Sequence, residues 1–347
     1  MHDHISQAIG TPDLVRLADG LVCLRFETMK VVSAVAAVRH LLDTGVVRPG
    51  DTVLDSSSGI YACALALACH RYGLRCYIVG STTVDETLRV QLAVLGAQLE
   101  QMPPSSDLRL DQNRRVRRVR ELLAANPGWH WMRQYHDRIH YLGYRSVAEM
   151  MHAELGEQSV TLVGGVGSGA STGGLATALA DLGVPVELVG VQPFGSVTFG
   201  SEHLADPDMI IAGIGSSIPF GNVDHDRYDV IHWVSFRMAL SGSIDLLRRH
   251  AVFAGLSTGA AYLAARWEHA RTTAPGGTTV FIAADTGHRY VDSVFRRHTE
   301  ALDIDTLRPH ELTDPRAVRL PWSRAPWRRA AGSSDPTAGA RDHAPVR

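Results

Sequence analysis

An alternation of two patterns constrains the fold of this chain more than any other feature. Short apolar runs of strand length take turns with segments whose apolar residues recur at helical spacing. Leu21-Val22-Cys23-Leu24 reads as a first strand. Asp51–Asp55, Cys76–Val79, Gln98–Met102 and Trp129–Met132 follow, then Val160–Val163, Val186–Gln192, Val230–Val234 and Thr279–Ala284. The spacing predicts helices over Val31–Thr44, closed by Gly45, and over Tyr61–His70, Val84–Leu95 and Asp107–Ala125. Further helices are predicted near Thr172–Leu182, Ser241–Ala251, Ala260–Thr272 and Val291–Arg297. Strands joined through helical crossovers run parallel, so the expected fold is a two-lobed, doubly wound α/β structure with mostly parallel sheets. A chain of 347 residues is long enough for two such lobes and a cleft between them. From about Pro321 the sequence turns to Pro, Arg, Ala, Gly and Ser without periodicity, and residues 321–347 are expected to be a disordered tail.

One βα junction stands out. Val160-Thr161-Leu162-Val163 runs into Gly164-Gly165-Val166-Gly167-Ser168-Gly169-Ala170-Ser171-Thr172-Gly173-Gly174, and a helical run leaves it. Strand, glycine turn and helix bring backbone N–H groups and a helix N-terminus onto an anion. The glycines allow close backbone approach, and Ser168 and Ser171 can add hydroxyl donors. No Gly-Lys-Ser/Thr follows, so this is not a P-loop, and the dinucleotide fingerprint fits only loosely. An ordinary tight βα turn is the plainer reading.

Lysine usage adds weight to the anion cradle. Lys30 is the only lysine in the chain, and arginine carries every other long cationic side chain. Broad replacement of lysine by arginine accounts for the depletion but not for the survivor. Arginine holds its proton, whereas an amine with a lowered pKa can form a Schiff base with an aldehyde. A phosphate cradle and one irreplaceable amine together suggest pyridoxal phosphate.

Composition excludes several classes. An apolar fraction of 45% and a charged fraction of 20% are those of a soluble globular protein, and a net charge of -2 offers nothing to nucleic acid or an anionic membrane. No apolar run reaches membrane-spanning length, and Met1-His2-Asp3-His4 is not expected to begin a signal peptide. Cys23, Cys63, Cys69 and Cys76 lack CxxC spacing and read as buried free thiols in a reducing cytoplasm.

The motifs, taken in order, resemble the cysteine synthase (O-acetylserine sulfhydrylase) family of fold-type II pyridoxal phosphate enzymes, over about Ile9 to His298. Lys30 falls where that family carries its Schiff-base lysine, with the Arg48-Pro49-Gly50-Asp51 turn at the family's spacing after it. Ser57-Ser58-Gly59 lies where the family has its Thr-Ser-Gly substrate-carboxylate loop, and Gln134-Tyr135 resembles its Gln-Phe pair. Gly165 to Ser171 is similar to the phosphate loop. Gly213-Ile214-Gly215 through Ile218-Pro219, with Asn222 and Asp224, is similar to the segment under the cofactor. Gly255-Leu256-Ser257-Thr258-Gly259 matches a further motif, and Asp285-Thr286-Gly287-His288-Arg289-Tyr290 resembles the one whose hydroxyl meets the pyridine nitrogen.

The resemblance implies a tryptophan synthase β-like architecture. Residues 1–35 and 145–320 would form a large cofactor-binding domain, and residues 36–144 a smaller mobile domain that closes on substrate. It implies pyridoxal 5'-phosphate held by Lys30, Gly167, Ser168, Gly169, Ala170, Ser171, Gly215 and Thr286, with Lys30 catalytic. Substrate would meet Ser57, Ser58, Gly59, Tyr61 and Gln134. The implied reaction is β-replacement on L-serine, or on O-acetyl- or O-phosphoserine, by a sulfur nucleophile or an amine, in a cytoplasmic homodimer. Cysteine or a relative such as S-sulfocysteine would be the product. The alternatives are a β-eliminating serine/threonine deaminase-type lyase and a catalytically degenerate homologue acting through a partner. Ile60 departs from the family, standing where an asparagine donates to the cofactor's ring oxygen.

Smaller features have plainer readings. His136 and His140 stand four apart without a third metal ligand, so no metal is expected. The arginines between Arg114 and Arg120 read as a solvated helix face, and Asp224-His225-Asp226 lacks the rest of a calcium loop.

Overall fold

Strand and helix alternate in space as they do in sequence. The computed structural model describes residues 1–57, 59–81, 84–103, 108–208, 211, 213–271 and 276–328, with backbone alone at 108–110. A short helix α1 (Ile5–Ile9) precedes a hairpin of β1 (Asp13–Ala18) and β2 (Leu21–Arg25), and α2 (Lys30–Asp43) follows. The chain continues through β3 (Thr52–Ser57), α3 (Ile60–Tyr72), β4 (Arg75–Gly80), α4 (Glu86–Val94), β5 (Gln98–Gln101), α5 (Leu108–Ala125) and β6 (His130–Trp131). Next come α6 (Tyr144–Leu155), β7 (Val160–Gly165), α7 (Ala170–Asp181), β8 (Val186–Pro193) and β9 (Val230–Val234). The helices α8 (Phe236–His250) and α9 (Leu256–Arg271), then β10 (Thr278–Ala283), β11 (His310–Glu311) and β12 (Trp322–Pro326) complete the order.

Two sheets divide these strands. The larger has eight strands in the order β1-β2-β10-β7-β8-β9-β12-β11, and the smaller has four in the order β5-β4-β3-β6. The small sheet is parallel throughout, and so is the run β2-β10-β7-β8-β9. Helices cover both faces of the large sheet, which is why its strands read as nearly continuous apolar runs. Successive residues of one strand serve opposite faces: Val280 and Ile282 pack on one side, Phe281 and Ala283 on the other. The small sheet is packed in the same way, with Val53 and Ile78 on one side and Leu54 and Val79 on the other. Local signals set the ends of its helices. Gly73 closes α3 at φ +68°, and the Asp85 carboxylate accepts the Leu88 N–H to cap α4.

Two expectations are corrected. The helix expected over Val291–Arg297 is instead a pair of 3₁₀ turns, Gly287–Tyr290 and Phe295–Glu300. Gly287 N–H is tied to Phe253 O, and Arg297 leaves the helical range at φ -90°, ψ 20°, so no continuous ladder forms. Nor does disorder begin at Pro321, because Trp322–Pro326 pair antiparallel with β9. That strand is held by partners far away in sequence. The Trp322 indole N–H donates to His232, and Arg324 meets Glu268. The rest of the expected tail, 329–347, lies outside the described residues.

Candidate active site

The parallel strands β3, β7, β8 and β10 end at loops that carry the singled-out motifs, as expected for ligands at the carboxyl ends of strands in open α/β sheets. After β2 the chain follows β10 to its end. Phe26 N–H bonds to Ala283 O at 2.9 Å and Met29 N–H to Ala284 O at 2.8 Å, while Thr28 and Asp285 form a bridge. Lys30 therefore opens α2 beside Asp285 and Thr286, residues more than 250 positions away. Its ammonium donates to Ser168 Oγ at 3.3 Å. Lys30 keeps some accessible surface, but protein packs densely around the amine, and that desolvation lowers its pKa to about 8.

The glycine turn fits a phosphate. Gly169 takes φ +81°, and a Cβ there would lie 2.8 Å from Asn222 O. A Cβ on Gly167 would lie 2.5 Å from Gly213 O. The first-turn N–H groups of α7 have no carbonyl one turn back; Ala170 N–H reaches Ser168 Oγ at 3.5 Å, and this end of the helix suits an anion. Gly215 N–H binds Val166 O at 2.8 Å, and Ser257 approaches Gly165, so two further loops converge on the turn. Thr258 Oγ1, Thr28 Oγ1 and Asp285 Oδ1 are buried without a protein partner. A compact ligand that brings a phosphate, a carbonyl to meet Lys30 and polar ring atoms suits this surface. Pyridoxal phosphate has these three parts.

The substrate-side residues have more varied settings. Ser57 Oγ accepts N–H bonds from Gly59 at 3.2 Å and Ala62 at 3.1 Å, which caps the start of α3. Ser58 lies outside the described residues. Gln134 donates from its side chain to Ser56 O at 2.8 Å and from its backbone to Asp55 Oδ2 at 2.9 Å, so it fixes the end of β3. Tyr61 turns into the core of the smaller lobe, where its hydroxyl pairs with His140 Nε2 at 2.9 Å. His140 Nδ1 stands 3.0 Å from Asp137 O, so Nδ1 carries the proton and Nε2 accepts from Tyr61. Burial lowers the His140 pKa to about 4 and keeps the ring neutral. Both its ring nitrogens are engaged within the protein, and His136 Nδ1 accepts the Gly221 N–H. Thr286 Oγ1 and His288 Nδ1 lie 3.0 Å apart.

Three groups carry more weight here than their sequence signals suggest. Burial pushes the Asp285 pKa up to about 6 against the hydrogen bond it accepts from Tyr290 Oη at 2.8 Å. Asp55 is likewise raised by burial to about 6, opposed by N–H bonds from Gln134, Ser56 and Trp131. Asn222 donates to Gln134 O and Asp137 O and stitches the lobe junction to the loop beneath Gly169. Within the arginine run, Arg115 is buried against Asp111, and Arg118 pairs with Glu100. The four cysteines are free, and burial raises the Cys23 thiol to about 12.

Comparison with known proteins agrees with this geometry. Residues 23–285 match the family described as pyridoxal-phosphate dependent enzyme. The chain is 30% identical to an N-(2-amino-2-carboxyethyl)-L-glutamate synthase of Ralstonia nicotianae, across 82% of this chain and 87% of that one. A putative cysteine synthase of Sinorhizobium fredii is 28% identical, across 91% and 95%. Among solved structures, O-acetyl serine sulfhydrylase isoform 3 from Entamoeba histolytica superposes with a TM-score of 0.76 at 20% identity, covering 89% of this chain and 97% of its own.

Proposed function

The chain belongs to the pyridoxal-phosphate-dependent enzymes, in their cysteine synthase-like, fold-type II branch, and from that premise we propose that it catalyses β-replacement on L-serine or an O-activated L-serine. The observation that carries this reading is the only lysine of the chain, set at the end of β10 with its amine 3.3 Å from a hydroxyl of the glycine turn. When bound, the cofactor withdraws electrons from the substrate's α-carbon and so eases loss of a group from the β-carbon. The protein's part is position and proton handling. Ser168, Ser171 and the N–H groups that open α7 would hold the phosphate, with Gly167, Gly169 and Ala170 leaving room for it. Thr286 would offer that cofactor a neutral hydroxyl, not a carboxylate, which would favour elimination and replacement at the β-carbon over transamination.

Lys30 then acts as base. Its amine, already shifted toward the neutral form, takes the α-proton as the β-substituent leaves. Ser57 and Gly59 would receive the substrate carboxylate, and Gln134 keeps the end of β3 in place through Ser56. A sulfur nucleophile, giving cysteine or a β-substituted alanine, is the first reading. The name of the Ralstonia relative describes an alanine β-carbon joined to the nitrogen of glutamate, which supports an amine nucleophile as a second. The functional unit is proposed to be a homodimer, to be checked by light scattering.

The test starts with colour. Protein loaded with pyridoxal phosphate should absorb in the visible, and borohydride reduction should place the label on Lys30. Added O-acetylserine should release acetate, and Lys30→Ala should lower that rate by about 10²- to 10⁴-fold, as expected for loss of a general base. A colourless protein that stays unlabelled with added cofactor would overturn the reading.

A further inference from the structure

One ion pair joins the two lobes beside the substrate turn. Arg289 lies in the 3₁₀ turn Gly287–Tyr290 of the larger lobe, three residues after Thr286. Its Nη2 and Nε donate to Asp85 Oδ2 at 2.6 Å and 3.2 Å, and Asp85 belongs to the smaller lobe, where it caps α4. The guanidinium also covers the substrate turn, since a Cβ on Gly59 would stand 3.3 Å from Arg289 Nη1. The segment that offers a hydroxyl to the cofactor ring thus also brings a permanent cation to the turn that receives the substrate.

The pair is built to be exchanged. The two side chains are 35% and 45% exposed, and such pairs contribute little to stability. The Nε and Nη2 donors converge on a single oxygen of Asp85, although the planar fork of arginine suits a carboxylate taken through both oxygens. Asp85 already has a second task, accepting the Leu88 N–H at 2.8 Å, so the loss of Arg289 does not leave it without a donor.

We propose that Arg289 is the exchangeable carboxylate receptor of this site. Asp85 holds it across the cleft until a carboxylate-bearing co-substrate reaches the Gly59 turn and takes the guanidinium in its place. This rests on the β-replacement reading above and narrows it, selecting nucleophiles that carry a carboxylate over small neutral ones. Asp85 is then the internal competitor, and its strength sets the affinity for the incoming anion.

Calorimetric titration of the cofactor-loaded protein with glutarate tests this. Glutarate has two carboxylates and no amine, so its binding is read whether or not any donor is turned over. Asp85→Asn removes the competitor and should tighten glutarate about twofold to fivefold. Arg289→Gln should weaken it about tenfold or more, and Arg289→Lys should fall between, with the charge kept and the fork lost. Circular dichroism checks the fold of each variant, and Arg289→Lys carries the comparison should Arg289→Gln not fold. Equal affinity in the wild type and the Arg289 variants would overturn the proposal, as would glutarate bound no more tightly by Asp85→Asn. Failure of the β-replacement reading would show separately, as absent acetate release from O-acetylserine.

Discussion

At Lys30 the surroundings of one nitrogen decide what the residue can do. An ordinary lysine is almost wholly protonated near neutral pH, and an ammonium has no lone pair with which to attack a carbonyl. Burial disfavours the charged form and brings this amine to about 8. The rate at which cofactor-free protein develops colour with pyridoxal phosphate should therefore rise about tenfold per pH unit below 8 and level off above it. Stopped-flow absorbance between pH 6.5 and 9.5 checks this, and a flat profile would contradict it. Tyr61 teaches the opposite lesson at the same scale. Its place beside Ser57 and Gly59 in sequence suggested substrate contact, yet the first turn of α3 points its ring into the core toward His140. Side-chain direction depends on helix phase and on what packs against it, and neither is written in the motif.

At the scale of elements, strand–turn–helix units carry the site and a charged network anchors the far edge of the large sheet. In that network the Trp322 indole N–H donates to His232 Nδ1, so His232 Nε2 holds the proton and donates to Glu268 at 2.8 Å. Arg324 completes the cluster from β12. Burial alone would raise the Glu268 pKa, but the hydrogen bonds from His232 and Arg324 outweigh it and hold the group at about 2. A carboxylate whose folded pKa lies below its unfolded value adds stability above the unfolded value, and that stability is lost as pH falls through the folded one. Glu268→Gln should thus lower stability at pH 7 by about 3 kcal/mol, since it removes the buried one of the two carboxylates that Arg324 meets and leaves the half-exposed Glu311. It should also flatten the acid limb between about pH 4.5 and 2. Urea unfolding at several pH values reads both effects, and an unchanged midpoint at pH 7 would refute the role.

Across the whole molecule, two mostly parallel sheets flank the candidate site, and side chains bridge the lobes. Asp85 and Arg289 join the lobes beside Gly59, while Gln112 of α5 accepts the Ser217 N–H at 3.1 Å. At the lobe junction Tyr135 stacks on Phe220 with ring centres 4.0 Å apart. The large sheet reaches its edge through β12, which lies beyond the last motif legible in sequence. Truncation after Leu320 should expose the edge of β9 and strand His232 and Glu268 without Trp322 and Arg324. Unpaired strand edges invite association with other chains, so the truncated protein should run as higher-order species on size exclusion where the full chain does not. A truncated chain with the elution volume and melting temperature of the full one would show the strand to be dispensable.

The sequence by itself determined the alternating α/β plan, the glycine cradle and the single amine, because these depend on local periodicity and residue chemistry. Lys30 and the glycine turn could be singled out from residue type and spacing, and the fold brings the Lys30 amine within 3.3 Å of Ser168 Oγ. Tertiary structure alone decided that Gln134 fixes the end of β3, that Tyr61 is held by His140, and that Trp322–Pro326 is a strand. It also brought Arg289 to Asp85 across 204 residues of chain. Each of these is settled by a partner distant in sequence, and composition and spacing report only what lies within a few turns of the chain.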